Sequence, residues 1–307
     1  MGSFKKEMLE NNKENLIVFK ILLKDRTTNE YIKWVTDNYV EYGSRYFQDQ
    51  EILPECINVY QKFLCPRALK SKESRFKRTK DMAEVFTSSW VCNQQNNLID
   101  NNWFEYEDIF NTPTKNGWIT NTNKIKFPKG KTWENYITST RLEISCGEAP
   151  YLVSLYDAVT GEDIKLIDRI GILDRKLRIV NENVDDRNEW FKWVRKAYEH
   201  TYGYELQGDS LLISRINLFN AFIENMEYKF NEMPTLVEKK IIANIISWNI
   251  WQMDGTTMTT PYSKGESICQ QLSLFDEPKE IGEQILSKIF DWDNNCIIDF
   301  KSLMNGD

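Results

Sequence analysis

Apolar positions recur at helical spacing through most of this chain, broken by a few short runs that read as strands. The apolar run over 16–23 predicts a helix, and Tyr31, Ile32, Trp34 and Val35 fall at spacing compatible with another. A further helix is expected over 57–64, after Pro54 and ended by Pro66. Residues 100–135 are rich in Asn, Thr, Gly and Pro and read as loop with short strands. A β-compatible run over 141–146 then leads into Cys-Gly-Glu-Ala-Pro. Asp185 and Asp186 stand where a helix over 188–200 needs its cap, and Trp190, Phe191, Val194, Ala197 and Tyr198 give that helix its apolar face. A strand over 202–206, a helix over 209–226 and a long apolar helix over 236–251 follow. Strands alternating with helices predict an α/β domain with a mainly parallel sheet and helices on both faces.

Open parallel sheets bind ligands beyond the carboxyl ends of their strands. Three segments fit that place. In 143–151 a strand runs into a turn of small residues, where Gly147 and Ala149 let backbone amides approach a ligand and Glu143 accepts from a cation or hydroxyl. Glu205, followed by Leu206, closes a strand before a helix, where a carboxylate matches the two hydroxyls of a ribose. Asp254 follows a long apolar element and is placed to accept from an exocyclic amine. The usual offset between glycine turn and acidic residue is about 20 residues, so the longer spacing here implies an insertion near 155–185.

At these residues the chain resembles the adenine-specific (N6) DNA methyltransferases, the modification subunits of restriction systems. The 83–90 segment resembles the family's FTP motif beside the methionine part of S-adenosylmethionine, with Phe86 and Thr87 matching and serine in place of proline. Residues 143–151 resemble its E-x-x-C-x-x-G/A-P-F/Y glycine motif, which brings in Cys146. Residues 202–218 resemble the second motif, with Glu205 on the ribose, and 250–255 the third, with Asp254 on the adenine amine. The resemblance implies a Rossmann-like, S-adenosylmethionine-dependent methyltransferase fold over 81–307, preceded by a helical, basic extension over 1–80. It further implies methyl transfer from the sulfonium to adenine N6 by positioning, with no covalent enzyme intermediate.

One departure stands out. The family's D/N/S-P-P-Y/F segment, which engages the flipped adenine, has no counterpart, because no Pro-Pro pair occurs in the sequence; Thr260-Pro-Tyr-Ser263 is the nearest string. The chain ends soon after Asp254, so the expectation is a cofactor-binding half that is incomplete or inactive without a second subunit supplying that motif and base recognition. No catalytic residue is assigned. A second motif, Gln271, Leu272, Ser273, Leu274 and Phe275, resembles the peptide by which bacterial replication and repair proteins hold the DNA sliding clamp. Its alternative is an ordinary core segment. Three readings stay open: a methyltransferase component, a catalytically dead relative acting in regulation or in phage and mobile-element conflict, and a clamp-binding protein.

Composition narrows this picture. At 41% apolar the chain can bury a core, which excludes wholesale disorder. Its single histidine, His200, excludes histidine-rich metal sites and reads as a cation at a helix C-terminus. The net charge of −7 argues against a uniformly basic coat. Yet residues 66–80 hold Arg67, Lys70, Lys72, Arg75, Lys77, Arg78 and Lys80 against Glu73 alone. That stretch is either a solvated helix face or a DNA-phosphate patch, with Arg75, Lys77, Arg78 and Lys80 as the candidate contacts. Six cysteines without CxxC spacing, no secretory pattern and no membrane-length apolar run predict a reduced, cytoplasmic protein. Cys146 lacks a visible base and reads as a small apolar turn residue. Glu148 and Asp174 read equally as salt-bridge partners or ligand contacts.

Overall fold

The computed structural model describes residues 12–56, 59–60, 64–82, 87–262 and 285–304. Helix α1 (Lys13–Leu22) starts where Asn12 accepts from the Asn15 N–H, and its buried Val18, Phe19 and Leu22 form one stripe. The basic stretch becomes helix α2 (Lys72–Met82). Helix α3 (Ser89–Phe104) begins with the Ser89 N–H on the Asp157 carboxylate and ends at Glu105, which is left-handed at φ 65°. The hairpin β1 (Asn111–Thr114) and β2 (Gly117–Thr120) and the short helix α4 (Trp133–Ile137) follow.

The central sheet comes next in the chain. Strand β3 (Arg141–Glu143) is joined through α5 (Ile172–Asn183) and α6 (Arg187–Glu199) to β4 (Thr201–Glu205). Strand β4 continues through α7 (Gly208–Phe230) and α8 (Leu236–Asn249) into β5 (Ile250–Gln252). The three strands are parallel in the order β3–β4–β5, with Glu143 opposite Gly203 and Glu205 opposite Gln252. Helices α6, α7 and α8 all pack on β4. The hairpin β6 (Lys288–Asp291) and β7 (Cys296–Asp299) lies over a small cluster of Trp251, Met253, Ile289 and Phe300. The fold is therefore mixed α/β around a three-stranded parallel sheet.

Capping explains where the long helices begin. Asp186 accepts from the Glu189 N–H to start α6, and Thr235 and Glu238 form a reciprocal capping box on α8. Helix α8 stops at Asn249, whose side-chain amide donates to the carbonyls of Tyr198, Glu199 and Thr201. That contact docks the end of α8 on the start of β4, so the expected 236–251 helix gives up Ile250 and Trp251 to β5. The segment at Tyr31–Val35 is extended rather than helical. Ile32 and Trp34 are buried while Tyr31 and Lys33 are half-buried, a period of two, and Lys33 bridges to Glu51. Much of the expected 57–64 helix lies outside the described residues.

The segment before α2 shares the main core. Val18, Phe19, Leu22 and Trp34 pack in one cluster with Trp190, Phe219 and Ile250, and α1 lies on α8. The buried Arg215 of α7 reinforces the junction by donating to the carbonyls of Leu22, Lys24 and Ile250. Among the described residues no helix is long and apolar enough to cross a membrane.

Candidate functional site

A cleft of about 670 Å³ opens beyond the carboxyl ends of β3 and β4. Its walls come from the β3 turn (Glu143 to Gly147 and Tyr151), from α3 (Gln95, Asn96, Ile99) and from the approach to α7 (Leu206, Gln207, Ser210). Its size lies in the range of small-molecule sites.

The turn after β3 is wound tightly. Ser145, Gly147 and Ala149 all adopt left-handed backbone, with φ of 48°, 56° and 62°. Glycine occupies this region freely, whereas residues with a β-carbon pay about 1–2 kcal/mol for it. The Cys146 N–H donates to the Tyr204 carbonyl and continues the β3–β4 pairing. Glu205 then clamps the coil: its Oε2 accepts from the Gly147 N–H at 2.8 Å, and its Oε1 from the Leu206 and Gln207 N–H groups at 2.9 and 3.0 Å. Burial raises the Glu205 pKa, and those three amides only partly offset the effect. Glycine turn and ribose candidate, read separately in the sequence, are one hydrogen-bonded unit.

Glu143 is 9% exposed, and the weight of its burial raises its pKa well above the carboxylate range. Its Oε1 accepts from the Tyr151 N–H at 3.4 Å, and its Oε2 has no hydrogen-bond partner among the described residues. On the facing helix Asn96 is 1% exposed. Both of its side-chain N–H groups are committed, one to the Tyr151 carbonyl and one to the Ile170 carbonyl, each at 3.0 Å. That commitment fixes which way the amide is turned and leaves Oδ1 as an acceptor, again without a partner among the described residues. Tyr151 thus contacts both of these cleft-lining side chains, through its N–H and its carbonyl. Such groups cost free energy when buried and unpaired.

Other expected residues fall in varied places. Thr87, Cys146 and Leu206 line the cleft. Cys146 is buried against Gly203, and burial pushes its thiol pKa up, which suits a packing residue. Ala149 is buried with its N–H on the Cys146 carbonyl. Asp254 stands apart from the cleft walls: its Oδ1 accepts from the Thr256 N–H and hydroxyl, closing a turn after β5. The residue expected to meet the adenine amine thus lies off the cleft, with one carboxylate oxygen engaged in a local turn. Arg78 is corrected as a DNA contact, because it is 1% exposed and turned inward on Asp209 at 2.7 Å. Lys80 is exposed and Arg75 half-buried. Phe86, the Lys77 side chain, and Gln271, Leu272, Leu274 and Phe275 lie outside the described residues.

Glu148 and Asp174 hold the framework. Glu148 accepts from the Arg67 N–H and the Tyr156 hydroxyl, and Asp174 from the Ser154 and Gly171 N–H groups. His200 follows α6 with its Nε2 3.5 Å from Asp293, and burial lowers its pKa.

Asn96 was not singled out from sequence, nor were Gln95, Gln207 and Ser210. A signal existed for the first: Asn93, Asn96, Asn97 and Asp100 repeat at helical spacing and are buried together, with Arg175 donating to Asn93, Asn97 and Asp100. Comparisons of the chain with protein-family models, curated proteins and solved structures returned no match.

Proposed function

We propose that this chain is an S-adenosylmethionine-binding, DNA adenine N6-methyltransferase-like protein with a Rossmann-like fold. The observation that carries the reading is the convergence of Glu143, Asn96, Glu205 and the Gly147 turn on one cleft at adjacent parallel strand ends. Glu143 Oε2 and Asn96 Oδ1 accept from the cofactor's α-ammonium group. Glu205 keeps one acceptor site, on Oε2, after its three amide contacts, and this accepts from a ribose hydroxyl. Leu206 and Ile172 offer apolar surface for the purine. The cofactor supplies an electrophilic methyl group; the chain binds and orients it. Nothing in the sequence matches the Pro-Pro segment that engages a flipped adenine, so base capture is assigned to a second subunit, and the isolated chain is expected to bind cofactor and methylate slowly or not at all.

Glu143→Gln tests the assignment cleanly. Glu143 Oε2 has no partner among the described residues, so the amide is tolerated by the fold, but it presents N–H where an acceptor is required. Calorimetric titration with S-adenosylmethionine is expected to show binding by wild type, and binding weakened at least about tenfold by Glu143→Gln, with an unchanged or higher melting temperature. Equal affinities would remove Glu143 from the site, and no binding by either protein would remove the cofactor.

A further inference from the structure

Helix α2 carries two different sets of cations. Arg78 points inward, where it donates to Asp209, to Gln207 Oε1 at 3.3 Å and to the Ser210 hydroxyl at 3.4 Å. Lys70, just before the helix, joins the same carboxylate at 3.2 Å, as does the Tyr39 hydroxyl at 2.7 Å. This buried knot fastens the back of α2 to the cleft wall, since Gln207 and Ser210 line the cleft. Away from Arg78, the residues at 72, 76 and 80 follow one another at intervals of four and share a face. They are Lys72, Phe76 and Lys80, all exposed. Phe76 is 72% exposed, more than any other large apolar side chain among the described residues.

An aromatic ring left in water between two lysines is a poor core residue and a good stacking platform. From Lys72 to Lys80 the stripe spans about 12 Å at 1.5 Å per residue, or about three to four base steps of 3.4 Å along one strand. The chain as a whole is acidic, at −7, so this cationic face is a local exception complementary to a polyanion. Polyanions bearing flat apolar rings at this repeat are nucleic acids. We propose that the Lys72–Phe76–Lys80 face of α2 is a single-stranded or locally opened DNA contact, the lysines on phosphates and Phe76 under a base. The proposal rests on the methyltransferase reading for its purpose: a strand held on α2 lies about one helix diameter, roughly 10 Å, from the wall of the cofactor cleft. It replaces Arg78, which is an anchor, with Lys72 and Phe76 as contacts.

The test uses the full chain and fluorescein-labelled 20-nucleotide single-stranded and duplex DNA, read by anisotropy across 50–200 mM salt. All three side chains are exposed, so Phe76→Ala and Lys72→Ala/Lys80→Ala are expected to fold as wild type. The double lysine variant should bind more weakly and lower the salt slope by about 1.4 for the single strand. Phe76→Ala should weaken single-strand binding about fivefold or more with the slope unchanged, and affect duplex less. Wild-type levels of binding by these variants, no binding by the wild type, or equal binding of poly-glutamate would overturn the proposal. S-adenosylmethionine titration of the same variants keeps the two readings apart: unchanged cofactor binding with unchanged DNA binding removes only the α2 contact.

Discussion

Glu205 holds the turn after β3, and its substitutions test whether it also holds a ribose. Glu205→Ala leaves three buried N–H groups, on Gly147, Leu206 and Gln207, without their acceptor. At about 1–3 kcal/mol for each unsatisfied group, the variant is expected to lose about 3 kcal/mol or more in urea unfolding as well as cofactor affinity. A simple ribose contact would lose affinity alone. Asp209 can be tested in the same way. Burial alone would raise its pKa, but the Arg78 and Lys70 charges overcome burial and hold it far below the carboxylate range. A depressed folded pKa means stability that is present above the unfolded value of about 3.9 and lost as pH falls below it. Asp209→Asn strands two buried cations and should cost about 3–5 kcal/mol at pH 7. It should also flatten the loss of stability below about pH 4, as followed by urea melts across pH. Glu143, Gly147 and Glu205 were legible in sequence because each stands where a β-compatible run ends. Asn96 and the inward turn of Arg78 were not, because each depends on a partner far along the chain: Ile170 for one, Asp209 for the other.

Among the elements, α6, α7 and α8 were readable from periodicity and caps, and β3 and β4 from their β-compatible runs, whereas α3, α5 and β5 were not. Strand β5 is only Ile250–Gln252 and is marked by the docking of Asn249 on β4 rather than by any local pattern. The extended segment through Lys33 is likewise held from outside, by Gln252, which accepts from the Lys33 N–H and donates to its carbonyl. That segment crosses the start of α7 closely: a β-carbon on Gly208 would stand 1.9 Å from the Lys33 carbonyl oxygen. The obstacle is backbone and cannot swing away. Gly208→Ala is therefore expected to destabilise the protein by about 2 kcal/mol or more, in the range of overpacked cores, and to shift the urea midpoint accordingly. A neutral outcome would mean that the segment and α7 part easily.

For the whole molecule, the sequence suggested a basic, helical extension followed by an α/β unit, whereas the core runs through both. Val18 and Trp34 pack with Trp190 and Ile250, and Arg215 joins the Leu22 and Lys24 carbonyls to that of Ile250. Hydrophobic patterning identifies which faces are buried but not which buried faces meet, so the expected boundary had no physical marker. Urea unfolding followed by tryptophan fluorescence and by far-ultraviolet circular dichroism should give coincident transitions. Two separated transitions would show that the first segment folds on its own.

The cleft between β3, β4 and α3 is proposed to take a nucleoside carrying an ammonium group. Burial keeps Glu143 protonated to higher pH than an ordinary carboxyl, and an arriving ammonium favours the ionised form. Binding should therefore expel a proton, and affinity should rise with pH until Glu143 is ionised in the free protein. Titration of the full chain with S-adenosylmethionine from about pH 5 to about pH 7, in buffers of low and high ionisation enthalpy, measures both quantities directly. The expected result is saturable one-to-one binding whose affinity rises with pH, with proton release wherever Glu143 is protonated in the free protein; no saturable heat, or an affinity that falls as pH rises over that range, would contradict it.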